Sequence, residues 1–268
     1  MKHKLLAAAL VLGLLTAVIP SAGAVSLLID SAPAHVALTV RNQTTYVPIR
    51  AVTNLLVSGA AISWENHQAV VRAPNLTLTV RPGNRYLNAN GRLLYIKDGV
   101  RAEGGSVMVP IRVLAKALGA SVVWSATAGT VSVKRGSGTI PSGGNFYDSA
   151  AVYWLSRIIS AESCGEPMAG KLAVGNVVLN RVASPDFPNC IYDVIFDSRW
   201  GGQFEPVKNG TIYDMPTEES VIAAKLCLDG ASVVGSSLFF LNPAKAANFW
   251  TVQHRPYIAS IGSHQFYA

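Results

Sequence analysis

Thr45-Tyr46-Val47-Pro48-Ile49-Arg50 recurs as Val107-Met108-Val109-Pro110-Ile111-Arg112, and this repeated stretch decides the architecture of the first half of the chain. Each copy continues into an apolar helical stretch and a Gly-Ala step, then into Ile62-Ser63-Trp64 or Val122-Val123-Trp124. Each reads as a strand whose proline sits in the first turn of a helix, where its missing N–H is tolerated. The second helix is expected from Arg112 to Leu118, stopped by Gly119, with strands at 122–124 and 131–133. Between the copies, Leu76-Thr77-Leu78-Thr79-Val80 alternates as a strand does, and Asn90-Gly91 signals a hairpin turn. The first half is a small sheet wrapped on helices.

Residues 136–145, Gly-Ser-Gly-Thr-Ile-Pro-Ser-Gly-Gly-Asn, read as a flexible linker. They divide the chain into a first domain at 25–135, a linker at 136–147 and a second domain at 148–268. Beyond Asp148, Ala151, Leu155, Ile158, Ile159 and Glu162 fall at three- and four-residue steps on one helix face. Further helices are expected from Pro167 or Met168 to Val182 and from Thr217 to Leu228. The fold class is therefore α+β: a small repeat-built α/β sheet domain followed by a mainly α domain. Glu162 is the candidate catalytic residue. It ends an apolar stripe just before Ser163-Cys164-Gly165, where partial desolvation raises a carboxyl pKa and suits it to protonate a glycosidic oxygen.

Two resemblances extend this reading. Residues about 27 to 135, with paired V-P-I-R and Trp landmarks, resemble the copper amine oxidase N-terminal-like domain of bacterial envelope proteins. Only His35 and His67 offer imidazoles there, outside any metal spacing, so no metal is expected despite the family's name. Residues about 152 to 268 resemble the SleB-type cell wall hydrolases, the spore cortex-lytic enzymes. The landmarks are Ser160-Ala161-Glu162-Ser163-Cys164-Gly165-Glu166-Pro167, Ala173-Val174-Gly175-Asn176-Val177-Val178-Leu179-Asn180-Arg181-Val182, Gly202-Gln203-Phe204, Phe240-Leu241-Asn242-Pro243 and Ile261-Gly262-Ser263-His264-Gln265-Phe266. The resemblance implies a lysozyme-like helical domain acting on peptidoglycan, with Glu162 as catalytic acid and Glu166 structural. It also favours nonhydrolytic cleavage between N-acetylmuramic acid and N-acetylglucosamine, with spore cortex as the specialised substrate of some members.

The residues bear on that mechanism independently. A glycoside hydrolase needs a second carboxylate about 5–10 Å from the first. Asp186, Asp193, Asp197, Glu205 and Asp214 are available, but no landmark marks any of them as the partner. A lytic transglycosylase needs only one group, acid and then base, so that reaction is preferred. Gln203 and Phe204 are candidate substrate contacts, through amide hydrogen bonds and a ring face; Asn180, Tyr257 and His264 complete the set. Asn180 has a helix cap as its alternative role. Trp154, Trp200 and Trp250 read as core.

Composition sets the outer bounds. Half the residues are apolar and only 14% charged, which favours ordered domains over disorder. Residues 1–24 read as a signal peptide: Lys2 and Lys4, an apolar run from Leu5 to Ile19, and Ala22-Gly23-Ala24. The run is too short for a stable membrane anchor, so a secreted protein of the cell wall or spore envelope is expected. Its removal takes two charges from a formal +7, leaving a basic protein suited to an anionic envelope; export argues against nucleic acid as the partner. Peptidoglycan is the expected partner, with an envelope component possible for the first domain. Cys164, Cys190 and Cys227 allow one disulfide or three buried thiols. No cofactor is expected. A zinc amidase needs three ligands, and the second domain offers only His254 and His264, without H-x-x-E or H-E-x-x-H spacing. A nonenzymatic envelope scaffold is the other competing reading.

Overall fold

The structure, a computed structural model, describes residues 25–199, 201–246 and 250–268. The expected signal peptide and Trp200 lie outside the described residues. The first domain runs through β1 (Ser26–Ile29), β2 (Ala32–Pro33), β3 (Thr39–Arg41), β4 (Thr44–Pro48), α1 (Ile49–Leu56), β5 (Ala61–Glu65), β6 (Gln68–Ala73) and β7 (Leu76–Val80). It continues with β8 (Tyr86–Ala89), β9 (Arg92–Tyr95), β10 (Arg101–Glu103), β11 (Ser106–Pro110), α2 (Ile111–Ala117), β12 (Ser121–Ser125) and β13 (Thr130–Lys134). The two repeat strands meet each other: β4 and β11 pair antiparallel, Val47 opposite Val109. Pro48 and Pro110 end these strands as the N-cap residues of α1 and α2, one position ahead of the first helical turn, in extended geometry (ψ 121° and 131°). Proline suits that junction because it has no N–H to leave unpaired.

Three sheets enclose one apolar core. Their strand orders are β12-β13-β1-β2, β10-β11-β4-β3 and β5-β6-β7-β8-β9. Val47, Val52, Leu78, Leu87, Val109 and Leu114 are fully buried between them. Asn90 and Gly91 both take positive φ (53° and 83°) in the β8–β9 turn, as a two-residue hairpin requires.

The second domain is built on α4 (Ser149–Ser163), preceded by the short α3 (Gly143–Phe146), and on α5 (Met168–Ala183). After these come α6 (Ile191–Ile195), α7 (Glu205–Asn209), a 3-10 turn at Thr211–Tyr213, α8 (Glu218–Leu228), β14 (Phe239–Leu241), α9 (Trp250–His254), β15 (Tyr257–Ile261) and β16 (His264–Tyr267). Asp148 caps α4 by accepting from Ala151 N (2.7 Å), and Thr217 caps α8. Leu155, Ile159, Leu172, Val178, Ala223 and Leu226 form the common core of α4, α5 and α8. A three-stranded sheet, β14-β16-β15, closes one side; the sequence reading had not foreseen it.

The linker departs from expectation. It is pinned to the first domain: Asn90 Nδ2 donates to Thr139 Oγ1 (2.9 Å) and Ile140 O (3.1 Å), and Gly143 N donates to Asn90 O (2.8 Å). A side chain at Gly143 would begin 2.5 Å from Gly91 O, so the glycine here permits close backbone approach and not flexibility. The two domains also share a surface. Tyr86, Leu93 and Tyr95 pack into the second core, and Arg92 pairs with Asp229 through two 2.9 Å hydrogen bonds. The three cysteines are free, Cys164 and Cys190 exposed and Cys227 buried. Trp250 is 50% exposed and stacks on His254, which corrects its assignment to the core. Trp154 is only partly buried. Among the described residues, no helix is long and apolar enough to cross a membrane.

Candidate active-site groove

The end of α4, the segment 203–211, the segment 240–246 and the turn before β16 surround a groove of about 760 Å³. A larger depression of about 900 Å³ lies over the first domain, lined by Asn75, Thr77, Asn88 and Thr139 among others, but it contains no titratable side chain. The chemistry therefore concentrates in the second-domain groove.

Glu162 stands on the last turn of α4, partly buried in the groove wall. Its carboxyl is pushed up to about 7, by burial first and then by the negative charge of Glu205, while Arg181 opposes the rise. The carboxylate-disfavouring end of the helix dipole lies at the same place. A group with this affinity keeps its proton up to a pH of about 7 and can release it to a leaving oxygen.

Several residues hold the loop that follows Glu162. Lys171, 1% exposed, donates to Cys164 O (3.0 Å) and Glu166 O (2.5 Å) and pairs with Glu219 (3.0 Å). It satisfies the Cys164 carbonyl at the end of α4 and the Glu166 carbonyl in the turn that leads to α5. Glu166 accepts from Ser263 N (3.1 Å) and from the Ser263 hydroxyl, and His264 Nδ1 lies 3.7 Å away. The Ser263 hydrogen bond leads the causes that hold the Glu166 carboxyl below its usual range. Glu166 thus clamps the β15–β16 turn against the start of α5.

The other expected contacts divide. Gln203, Phe204 and His264 line the groove. Phe204 is 2% exposed and packs toward Phe240 (6.3 Å), so it forms the wall more than an open platform. His264 is buried, and burial lowers its pKa. Asn180 and Tyr257, also expected as contacts, are not among the residues that line the groove. The Asn180 amide donates to Gly235 O (2.8 Å) and Ser237 O (2.9 Å), fastening α5 to the chain before β14. It does so from inside the helix, not as a cap. Tyr257 is 57% exposed, and its hydroxyl pairs with Ser260 (2.9 Å).

Two groove residues were not singled out by the sequence. Glu205, at the start of α7, places another carboxylate in the groove, and its charge raises the Glu162 pKa. Arg181 is 4% exposed; its Nε donates to Leu238 O (2.8 Å) and its guanidinium lies 4.9–5.5 Å from the ring centroids of Phe187, Phe204 and Phe239. Its Nη1 has no hydrogen-bond partner among the described residues. Desolvation lowers its pKa to about 10, although Asp197 and Glu162 both favour its charge. A signal for it existed. The stretch from Met168 to Ala183 is apolar on nearly every face, which marks a buried helix, so Lys171, Asn176 and Arg181 within it had to be paired or functional.

Residues 165–267 match the Cell Wall Hydrolase family and residues 29–135 the Copper amine oxidase N-terminal domain family. Glu162 lies three residues ahead of the first match, so its assignment rests on the groove. The chain is 37% identical over 122 residues to a spore cortex-lytic enzyme of Bacillus cereus, an alignment spanning 46% of each chain. It is 30% identical over 129 residues to the cell wall hydrolase CwlJ of Oceanobacillus iheyensis, covering 46% of this chain and 89% of that one. Among solved structures, the catalytic domain of the germination-specific lytic transglycosylase SleB from Bacillus anthracis is 35% identical, with 48% of this chain and 100% of that domain covered and a TM-score of 0.42.

Proposed function

The chain belongs to the cell wall hydrolase family, and from that premise we propose that it is a secreted enzyme cleaving the glycan strand of peptidoglycan between N-acetylmuramic acid and N-acetylglucosamine, as a lytic transglycosylase. The observation that carries the proposal is the desolvated Glu162 carboxyl in the groove, protonated up to a pH of about 7. Glu162 donates its proton to the glycosidic oxygen as the C1–O bond breaks. The resulting carboxylate then takes the proton of the muramyl C6 hydroxyl, whose oxygen closes on C1. One bond to C1 is exchanged for another, Glu162 recovers its proton and no water is consumed. The names of the Bacillus relatives point to spore cortex as the form of peptidoglycan attacked.

Glu205 supports a second reading. A carboxylate in the same groove as the acid could activate water, making the reaction hydrolysis. Mass spectrometry of digested sacculi separates the two: anhydromuramyl ends mark transglycosylation and reducing ends mark hydrolysis. In either case Glu162→Gln should keep the fold and abolish release of soluble muropeptides. Release at the parent rate would remove Glu162 from the chemistry.

A further inference from the structure

We propose that an aromatic patch on the second domain, Tyr153, Trp154, Tyr192 and Tyr213 with Arg157 beside it, is a platform that binds the acidic glycan strand beyond the catalytic groove. The inference rests on reading the groove as a glycan site. Trp154 is the hub: its ring lies 4.9 Å from that of Tyr153, 5.2 Å from that of Tyr192 and 6.3 Å from that of Tyr213, all in edge contact. The three tyrosines around it are 45%, 47% and 62% exposed. Aromatic area gathered from α4, α6 and the 3-10 turn and left open to water marks a binding surface more than a core.

Two elements run from the groove to the patch. Ala161 lines the groove, and Trp154 precedes it by two turns on the same side of α4, about 10 Å along the axis. Thr211 also lines the groove, and Tyr213 ends the same 3-10 turn. A strand that fills the groove past Glu162 is thereby led onto the rings, whose faces suit the apolar faces of pyranose sugars.

Arg157 specifies the chemistry further. Its guanidinium lies 3.6 Å from the Tyr153 ring centroid, and among the described residues it makes no ion pair or hydrogen bond; its Nε is without a partner. A planar cation held on a ring and paired with no carboxylate of its own is suited to an acidic ligand. The platform therefore fits a sugar strand bearing carboxylates, as muramyl residues and their stem peptides do, better than a neutral glycan.

The test uses the full chain carrying Glu162→Gln, pelleted with purified sacculi so that binding is read without degradation. Adding Tyr213→Ala, which removes the most open ring, or Arg157→Gln should weaken sacculus binding by roughly tenfold, and Tyr213→Trp should retain it. In the Glu162 enzyme the same two changes should slow cleavage of long strands more than cleavage of a tetrasaccharide confined to the groove. Parent-level pelleting by both Tyr213→Ala and Arg157→Gln overturns the platform, as does a patch whose only effect is on self-association in the ultracentrifuge. The catalytic reading fails elsewhere, in muropeptide release by Glu162→Gln alone, so the two failures are distinguishable.

Discussion

Glu162 combines two properties that oppose each other, because the burial that raises its proton affinity also destabilises the folded chain once it ionises. Its pKa is about 7 in the fold against 4.5 for the free side chain. Below pH 4.5 the carboxyl is protonated in both the folded and the unfolded chain. Between pH 4.5 and 7 the unfolded chain gains the solvated carboxylate while the folded chain stays protonated, so the fold loses stability through that window, about 3 kcal/mol in all by the time pH passes 7. Glu162→Gln should therefore raise the melting temperature at pH 8 and change it little at pH 4; equal melts at pH 8 would show the carboxyl to be solvated. The same pKa fixes the pH profile, since the proton donor is lost above about pH 7 and kcat/KM should fall there. Glu205 raises the Glu162 pKa and Arg181 lowers it. Glu205→Gln should move the alkaline limb of the profile to lower pH, and Arg181→Met should move it higher in whatever fraction folds. An unmoved limb in both variants would dissociate these charges from the acid.

At the scale of elements, the β15–β16 turn is the piece on which the groove's far wall depends. Gly262 has φ +60°, and a Cβ there would fall 1.6 Å from Glu166 Oε2. Gly262→Ala combines a left-handed backbone with a collision at the clamp, so it should cost about 1–3 kcal/mol and reduce muropeptide release; a thermal melt matching the parent would contradict the clamp. This turn also shows what the sequence revealed and what it hid. Local signals were readable: the turn to a helical pattern at Asp148, the helix beginning at Thr217, Leu76 to Val80 as a strand, Asn90-Gly91 as a turn. The sheet β14-β16-β15 was not, because its strands are three to five residues long and pair Phe240 with Phe266 across the chain without a local pattern. The linker failed for a related reason. Its Gly and Ser content is that of a free chain, whereas its order comes from Asn90, far away in sequence. Glu162 was legible because its signal, an apolar stripe ending in a carboxyl, lies within one helix. Glu205 and Arg181 become site residues only when α7 and α5 are brought beside α4.

At the scale of the whole molecule, the question is what joins two domains that each have a core of their own. The Asp229 carboxylate, with its side chain 2% exposed, receives Arg92 from β9 and Lys116 from α2 (2.6 Å), and the Tyr147 hydroxyl from the linker lies 3.4 Å away. Burial pushes this carboxyl up, and the hydrogen bonds from Arg92 and Lys116 more than reverse it. Arg92 is itself only 8% exposed and lies over the Phe146 ring at 3.5 Å, so losing Asp229 would strand a buried guanidinium between the domains. Asp229→Asn should therefore destabilise the chain by about 3–5 kcal/mol, the range for breaking a buried pair from one side. Lys116→Gln should cost under about 1 kcal/mol, because the Lys116 side chain is half exposed. The form of the loss is the more telling measurement. The parent should unfold in one calorimetric transition; with the latch weakened, two should be resolved, and limited proteolysis should cut first within 136–147. The groove contains none of the latch residues, so muropeptide release per folded molecule should persist in Asp229→Asn. A single unshifted transition would mean that the packing of Tyr86, Leu93 and Tyr95 holds the domains together without the ion pair.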